Sequence, residues 1–72
     1  MTQGRKFENI QSISLTEVRK ALKNDGECII GSMEITVDSL NNCEVTENGE
    51  LLFECTSWYE LEEYLEDLMW NA

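Results

Sequence analysis

The chain has no histidine, and it has no lysine or arginine after Lys23. Without histidine, general acid–base chemistry would fall to carboxylates, tyrosines or cysteines. The longest apolar runs contain three residues, far short of the roughly 20 that a membrane-spanning helix needs. The N-terminal segment lacks the apolar stretch of a secretory signal, and there is no Asn-x-Ser/Thr sequon. These absences favour a cytoplasmic protein that does not enter a membrane.

Cysteine is sparse and irregularly spaced. Cys28, Cys43 and Cys55 include no Cys-x-x-Cys pair, and no histidine can complete a zinc site. An odd number of cysteines at such spacings favours reduced thiols over a disulfide framework. All three fall on the predicted inward faces of strands, where cysteine behaves as a small apolar residue. We therefore expect no bound metal and no cofactor.

Catalytic motifs are also missing. The sequence has no calcium-binding loop, no phosphate-cradling glycine loop and no nucleophile elbow. Pairs of carboxylates do occur at helical spacing near the C-terminus, but acid-pair catalysis needs a pocket and two carboxyl groups in different environments. A chain of 72 residues has little room for such a pocket. We predict a non-enzymatic protein.

Charge is divided very unevenly along the chain. Residues 1–23 contain all five cations and two acids, a sum of +3, whereas residues 24–72 contain thirteen acids and no cation, a sum of −13. Ordinary surfaces intersperse the two signs. A segment this acidic repels nucleic acid and anionic membranes and is attracted to basic surfaces. The expected partner is therefore a basic macromolecule.

The last sixteen residues predict one amphipathic helix. Ser57 and Glu60 have the spacing of a capping box, in which each side chain binds a backbone donor of the first turn. At about 100° per residue, the apolar side chains form one stripe that is wide enough to face a core. Tyr59 and Trp70 instead project into the middle of the acidic arc. The stripe comprises Trp58, Leu61, Tyr64, Leu65, Leu68 and Met69.

The N-terminal third predicts a second, shorter helix. Residues 1–13 show no clear period and are interpreted as an irregular or short extended lead-in. Ser14 and Glu17 have capping-box spacing, which starts a helix at Leu15. The helix is expected to end near Asn24, because Gly26 can adopt the left-handed conformation that follows a helix.

Two hairpins are predicted between the helices. In the first, a two-residue turn at Gly31-Ser32 pairs Ile30 with Met33 and places the buried residues on one face. In the second, we predict a three-residue loop, Glu47-Asn48-Gly49, because this register collects the apolar residues on one face. It pairs Val45 with Leu51 and Cys43 with Phe53. The outward face would carry Glu44, Thr46, Glu50, Leu52 and Glu54.

These elements predict a single α+β domain covering residues 1–72, with the order α-β-β-β-β-α over residues 14–72. Its sheet would be four-stranded and antiparallel, with the N-terminal and C-terminal helices on one face. The glutamates on the other face would continue the negative field of the C-terminal helix.

The acidic run from Tyr59 to Leu68 (YELEEYLEDL), in so small a chain, resembles the small acidic inhibitors of phages and other mobile elements that mimic nucleic acid. Anti-CRISPR and anti-restriction proteins are the familiar examples. The resemblance implies a monomeric or homodimeric protein in the host cytoplasm that occupies the basic cleft of a nucleic-acid-binding protein or ribonucleoprotein. It implies no direct contact with nucleic acid. The candidate partner-binding residues are Tyr59, Glu60, Glu62, Glu63, Glu66, Asp67 and Trp70, followed by Glu44, Glu50 and Glu54.

Two other functions remain open at this stage. One is an immunity protein or antitoxin that neutralises a nuclease. The other is a structural or regulatory subunit whose acidic face is only solvated and whose interface is apolar, for example around Ile29 and Leu52 on the outer sheet face.

Overall fold

Two helices pack on one face of a five-stranded mixed sheet. The computed structural model describes residues 5–71, with the side chains of Arg5 and Ser12 excepted. The strand order follows the chain, so that consecutive strands are neighbours in the sheet. In chain order the elements are β1 (Arg5–Phe7), a 3-10 helix (Ile10–Ser12), α1 (Leu15–Asp25), β2 (Glu27–Ile30), β3 (Met33–Val37), β4 (Cys43–Glu47), β5 (Glu50–Cys55) and α2 (Trp58–Asn71).

The sheet has one strand more than the sequence predicts. The α+β class is confirmed, but the prediction of four antiparallel strands after an irregular lead-in is wrong. β1 pairs in parallel with β2, with Phe7 opposite Ile30, and the Gly31 N–H donates to the Phe7 carbonyl at 2.9 Å. A parallel neighbour needs a long crossover, which α1 provides. Three residues are too few to show the alternation by which a strand is recognised in sequence.

α1 begins at Leu15 as predicted and ends one residue later than expected. Gly26 follows it at φ 75°, and its N–H donates to the Leu22 carbonyl at 2.9 Å. Ser14 occupies the N-cap position, but its side chain makes no cap hydrogen bond. The predicted capping box between Ser14 and Glu17 is therefore wrong.

The first hairpin has the predicted register. Ile30 is opposite Met33 and Cys28 is opposite Ile35. Gly31 has a φ of 61°, as the first central residue of a type II′ turn requires.

The second hairpin differs from the prediction because its turn is shorter. Asn48 and Gly49 both have positive φ, at 54° and 85°, which fits a two-residue type I′ turn. The extra residue is placed instead in β5, where a bulge lets Val45 pair with Phe53. Cys43 is therefore opposite Cys55, and the predicted pairing of Cys43 with Phe53 is wrong. The bulge corrects the register after the turn, so that Phe53 and Cys55 face inward as predicted. Leu51 is opposite Thr46 and 50% exposed, so its predicted pairing with Val45 on the inward face is wrong.

The core lies between the inward face of the sheet and the two helices. Leu61 and Leu65 of α2 and Val18 of α1 are completely buried. The Phe53 ring of β5 stacks on the Tyr64 ring of α2, with the ring centres 4.3 Å apart. The other buried residues of this core are Ile13, Ala21, Leu22, Cys28, Ile30, Met33, Ile35, Cys43 and Val45.

Candidate partner-binding surface

α2 is held at its start by Ser57 and Glu60 as predicted, except that the Glu60 carboxylate accepts from the Thr56 N–H and the Ser57 hydroxyl in place of the Ser57 backbone N–H. The Glu60 N–H donates to Ser57 Oγ at 3.3 Å, and Ser57 Oγ donates to Glu60 Oε2 at 3.3 Å. The Thr56 N–H also lies 3.4 Å from the same carboxylate oxygen. Glu60 therefore has a structural role at the helix start in addition to its place among the exposed acids.

The face of α2 that points away from the core is strongly acidic. Because Leu61 and Leu65 anchor the opposite side, five carboxylates lie at or near the surface. Tyr59 and Trp70 are not in the core, since 75% and 85% of their respective surfaces are exposed. We call this face the α2 acidic surface; it consists of Tyr59, Glu60, Glu62, Glu63, Glu66, Asp67 and Trp70.

The two aromatic side chains lie on one line along α2. They are eleven residues apart, which is three turns plus about 20°, so they project in nearly the same direction about 16 Å apart. Glu63 and Glu66 fall between them on the same side of the helix. The row of carboxylates therefore has an aromatic ring at each end. Exposed aromatic residues surrounded by charged side chains are typical of protein–protein interfaces.

The glutamates of the sheet form a separate acidic surface. Glu44 and Glu54 are directly opposite each other on the outer face, with Glu34 on the neighbouring strand. The sheet separates them from α2, which packs on the inward face. Glu44 and Glu54 lie on the outer face as predicted, but Glu50 is opposite Glu47 and Glu47 is opposite Met33, so the predicted outward position of Glu50 is wrong. Glu50 lies beside the Asn48-Gly49 turn.

The outer face of the sheet also carries apolar side chains. At the β5 bulge, Leu51 and Leu52 are 50% and 41% exposed. Ile29, on β2, is half-buried on the same face.

A cleft of about 910 Å³ separates α1 from the start of α2. Arg19, Lys20 and Lys23 line its α1 side, and Trp58 and Tyr59 line its α2 side. The two sides meet where the Arg19 guanidinium carbon lies 5.7 Å from the centre of the Trp58 ring. The sequence does not predict this cleft, because its two sides come from segments that are about forty residues apart in the chain. The basic positions of α1 were visible in the sequence, but nothing there indicated that aromatic residues would face them.

The cysteines lie where the sequence places them, on the inward face, and all three are free thiols. Burial raises the pKa of Cys28 to about 11. Burial and the adjacent Cys55 thiol raise the pKa of Cys43 to about 11 as well. The Cys55 thiol donates to the Ser57 carbonyl at 3.4 Å. Thiols that stay protonated are poor nucleophiles and poor metal ligands at neutral pH.

These thiols predict a loss of stability at alkaline pH. An unfolded chain releases the Cys28 proton near pH 9, whereas the folded chain keeps it until about pH 11. The unfolded state is therefore favoured increasingly as pH rises through this window, by up to about 2 kcal/mol for Cys28. Urea unfolding at neutral pH and at about pH 10.5 measures the change. In the Cys28→Ala variant this part of the pH dependence should disappear, and an unchanged curve would contradict the prediction.

The described residues contain neither a candidate membrane-spanning helix nor a candidate metal site. Neither helix within residues 5–71 is long and apolar enough to cross a membrane. In the same part of the chain, no three histidine, cysteine or acidic residues are grouped in a way that could hold a metal ion.

Comparison of this chain with protein-family models, with curated proteins and with solved structures found no match. Function is therefore inferred from the surfaces of the molecule itself.

Proposed function

We propose that this protein is a non-catalytic inhibitor that occupies the basic cleft of a nucleic-acid-binding protein or ribonucleoprotein. The contact surface is the α2 acidic surface. The observation on which this depends is the exposure of Tyr59 and Trp70 on the same face as the carboxylates. Large aromatic side chains that remain in solvent beside a charged row are better explained by a partner than by solvation alone.

The spacing of the carboxylates supports the same proposal. Successive acids on the outward face rise about 4.5–6 Å along the helix axis, which is comparable to the spacing of phosphates along one strand of nucleic acid. No lysine or arginine occurs within α2 to neutralise them. Such a surface attracts a basic cleft over a distance, speeds association and makes affinity fall as salt rises.

Charge reversal tests the proposal. The variant Glu63→Lys/Glu66→Lys/Asp67→Lys changes three exposed residues of the α2 acidic surface and leaves Glu60 in its capping box. Affinity purification from host lysate at low and high salt, followed by mass spectrometry, should recover a basic nucleic-acid-binding protein with the wild-type chain. We expect the variant to bind this protein at least about tenfold more weakly, a loss of about 1.4 kcal/mol or more.

A matched control distinguishes the α2 surface from overall charge. Glu34→Lys/Glu44→Lys/Glu54→Lys makes the same change in net charge on the outer face of the sheet, and it should bind normally. Nucleic acid added in excess should displace the wild-type chain from its partner. Equal loss in both variants, or no displacement by nucleic acid, would overturn the proposal.

The exposed leucines of the β5 bulge favour one alternative, a subunit with an apolar interface on the outer sheet face. In that case partner binding would survive high salt and the α2 charge reversal, and it would be lost in the Leu52→Asp variant. Leu51 and Leu52 are the adjacent exposed apolar residues that give this alternative its basis.

A further inference from the structure

The cleft between α1 and α2 is the place where the charge of the molecule changes sign. The chain has a net charge of −10. Arg19, Lys20 and Lys23 nevertheless line this cleft with a single carboxylate, that of Asp38. The side chains that line the cleft carry an excess of two positive charges, and one further carboxylate, that of Glu60, is bonded to Thr56 and Ser57 at its edge. The α1 side of this cleft is the part of the surface that can attract an anion.

The cations of the cleft are not neutralised by neighbouring acids. Among the described residues, the partner of the Arg19 guanidinium is the Trp58 ring. The guanidinium carbon lies 5.7 Å from the centre of that ring. A guanidinium held over a ring face is kept in place while its N–H groups remain free to donate. Lys20 and Lys23 are exposed on the same helix.

The single carboxylate is occupied by its own loop. Asp38 Oδ1 accepts hydrogen bonds from the backbone N–H groups of Leu40 and Asn42, at 2.8 and 3.0 Å. Asp38 Oδ2 accepts another from Asn42 Nδ2 at 3.1 Å. These hydrogen bonds lower the pKa of Asp38 and direct its charge into the β3–β4 loop. Asp38 therefore stays ionised, and its oxygens are engaged by Leu40 and Asn42 instead of by the cations of α1.

The α2 side of the cleft offers flat and polar surfaces. Trp58 is half-buried, packs on the core and already has the Arg19 guanidinium over its ring. Tyr59 is largely exposed, so its ring is the one that can contact a planar group. Ser39, Asn41 and Thr56 add hydroxyl and amide groups around the cleft. A volume of about 910 Å³ lies within the usual range for small-molecule sites, about 300–1,000 Å³. A ring-bearing, hydroxylated anion complements all of these features.

Screening limits the size of that anion. At physiological ionic strength the Debye length is about 8 Å, so a small ligand in the cleft is influenced mainly by the cations that line it. A longer polyanion would extend beyond the cleft and meet the remaining carboxylates of the chain. The charge distribution therefore favours a ligand with one phosphate group over a nucleic acid strand.

We propose that the cleft between α1 and the start of α2 is a binding site for a small nucleoside phosphate. The phosphate is bound by Arg19, Lys20 and Lys23, and the base lies against the Tyr59 ring, beside the Arg19–Trp58 pair. This site uses the basic face of α1 and not the carboxylates of α2, and it shares only Tyr59 with the α2 acidic surface. Loss of AMP binding in an α1 variant that still binds the basic partner therefore separates the two proposals.

AMP is the probe that tests this proposal. In the Trp70→Phe variant, Trp58 is the remaining tryptophan, and its fluorescence should be quenched saturably by AMP. Adenosine and inorganic phosphate, each of which supplies half of the ligand, should bind at least tenfold more weakly than AMP. Binding of AMP should weaken as salt rises.

Single charge removals identify the site. Arg19→Gln and Lys23→Gln should each weaken AMP binding about tenfold, the effect of losing one charge-assisted hydrogen bond of about 1.4 kcal/mol. Lys6→Gln is the matched control, because Lys6 pairs with Ile29 on the outer face of the sheet; AMP binding should not change. All three positions are exposed, so the variants should fold. Absence of saturable AMP binding, equal weakening in the Lys6 variant, or tighter binding of an oligonucleotide than of AMP would overturn the proposal.

Discussion

Replacing Leu65 with alanine should remove about 2–5 kcal/mol from the free energy of unfolding. The Leu65 side chain is completely buried between α2 and the sheet. Its removal loses the apolar transfer free energy and leaves a cavity that the surrounding residues fill only in part. Small domains are stable by only a few kcal/mol, so a large fraction of the variant should be unfolded at 37 °C. Urea unfolding followed by circular dichroism measures the loss.

Leu40→Ala is the control for this substitution. Leu40 lies in the β3–β4 loop with 77% of its surface exposed, so the same chemical change should alter stability by less than about 0.5 kcal/mol. Equal stability of the two variants would mean that α2 does not pack on the sheet as described. The α2 acidic surface would then lack the fixed geometry on which the proposed function depends.

The second large effect concerns the register of β4 and β5. Treatment of the folded protein with diamide, a two-electron oxidant of thiols, should join Cys43 to Cys55 with the loss of two hydrogens. The two residues are directly opposite each other, and the Cys55 thiol is near enough to help raise the pKa of Cys43. A disulfide closing a loop of this size should stabilise the protein by up to about 3 kcal/mol. Peptide mapping by mass spectrometry identifies the bridge, and thermal unfolding measures its effect.

This oxidation distinguishes the two registers considered for the second hairpin. If Cys43 were opposite Phe53, as the apolar pattern alone suggests, its thiol would not face Cys55 across the sheet. A bridge that includes Cys28, or no bridge in the folded protein, would contradict the observed pairing. Cys28 is the internal control because it is buried two strands away from β4.

The parts of the fold that were predicted correctly depend on local chemistry. The box formed by Ser57 and Glu60 and the left-handed Gly26 are determined by residues within one helical turn, so sequence alone locates them. The first hairpin is similar, because its turn and its apolar alternation indicate one register. In the second hairpin the Asn48-Gly49 turn favours a two-residue loop, whereas the alternation of apolar residues favours a three-residue loop. The prediction relied on the alternation. The Asn48-Gly49 turn in fact keeps its preferred geometry, and the bulge in β5 accommodates the pattern.

The features that sequence analysis missed depend on contacts between distant segments. β1 is too short to be recognised before its partner β2 is known. Ser14 has the right spacing for a cap, yet its hydroxyl makes no cap hydrogen bond. The cleft requires α1 and α2 to be side by side, which follows from the crossover that β1 introduces. For the candidate site, sequence periodicity located the acidic arc of α2 and the outward positions of Glu44 and Glu54, but only the fold shows that the β5 bulge moves Glu50 off that face.

The bulge in β5 has a consequence for the behaviour of the protein at high concentration. β5 is at one edge of the sheet, where unpaired backbone groups can recruit a strand from another molecule and begin fibril growth. An irregular strand with Glu50 and Glu54 at its ends is a poor template for such growth, since the bulge interrupts the ladder and like charges repel an added copy. The β5 margin of the sheet thus resists extension from one molecule to the next.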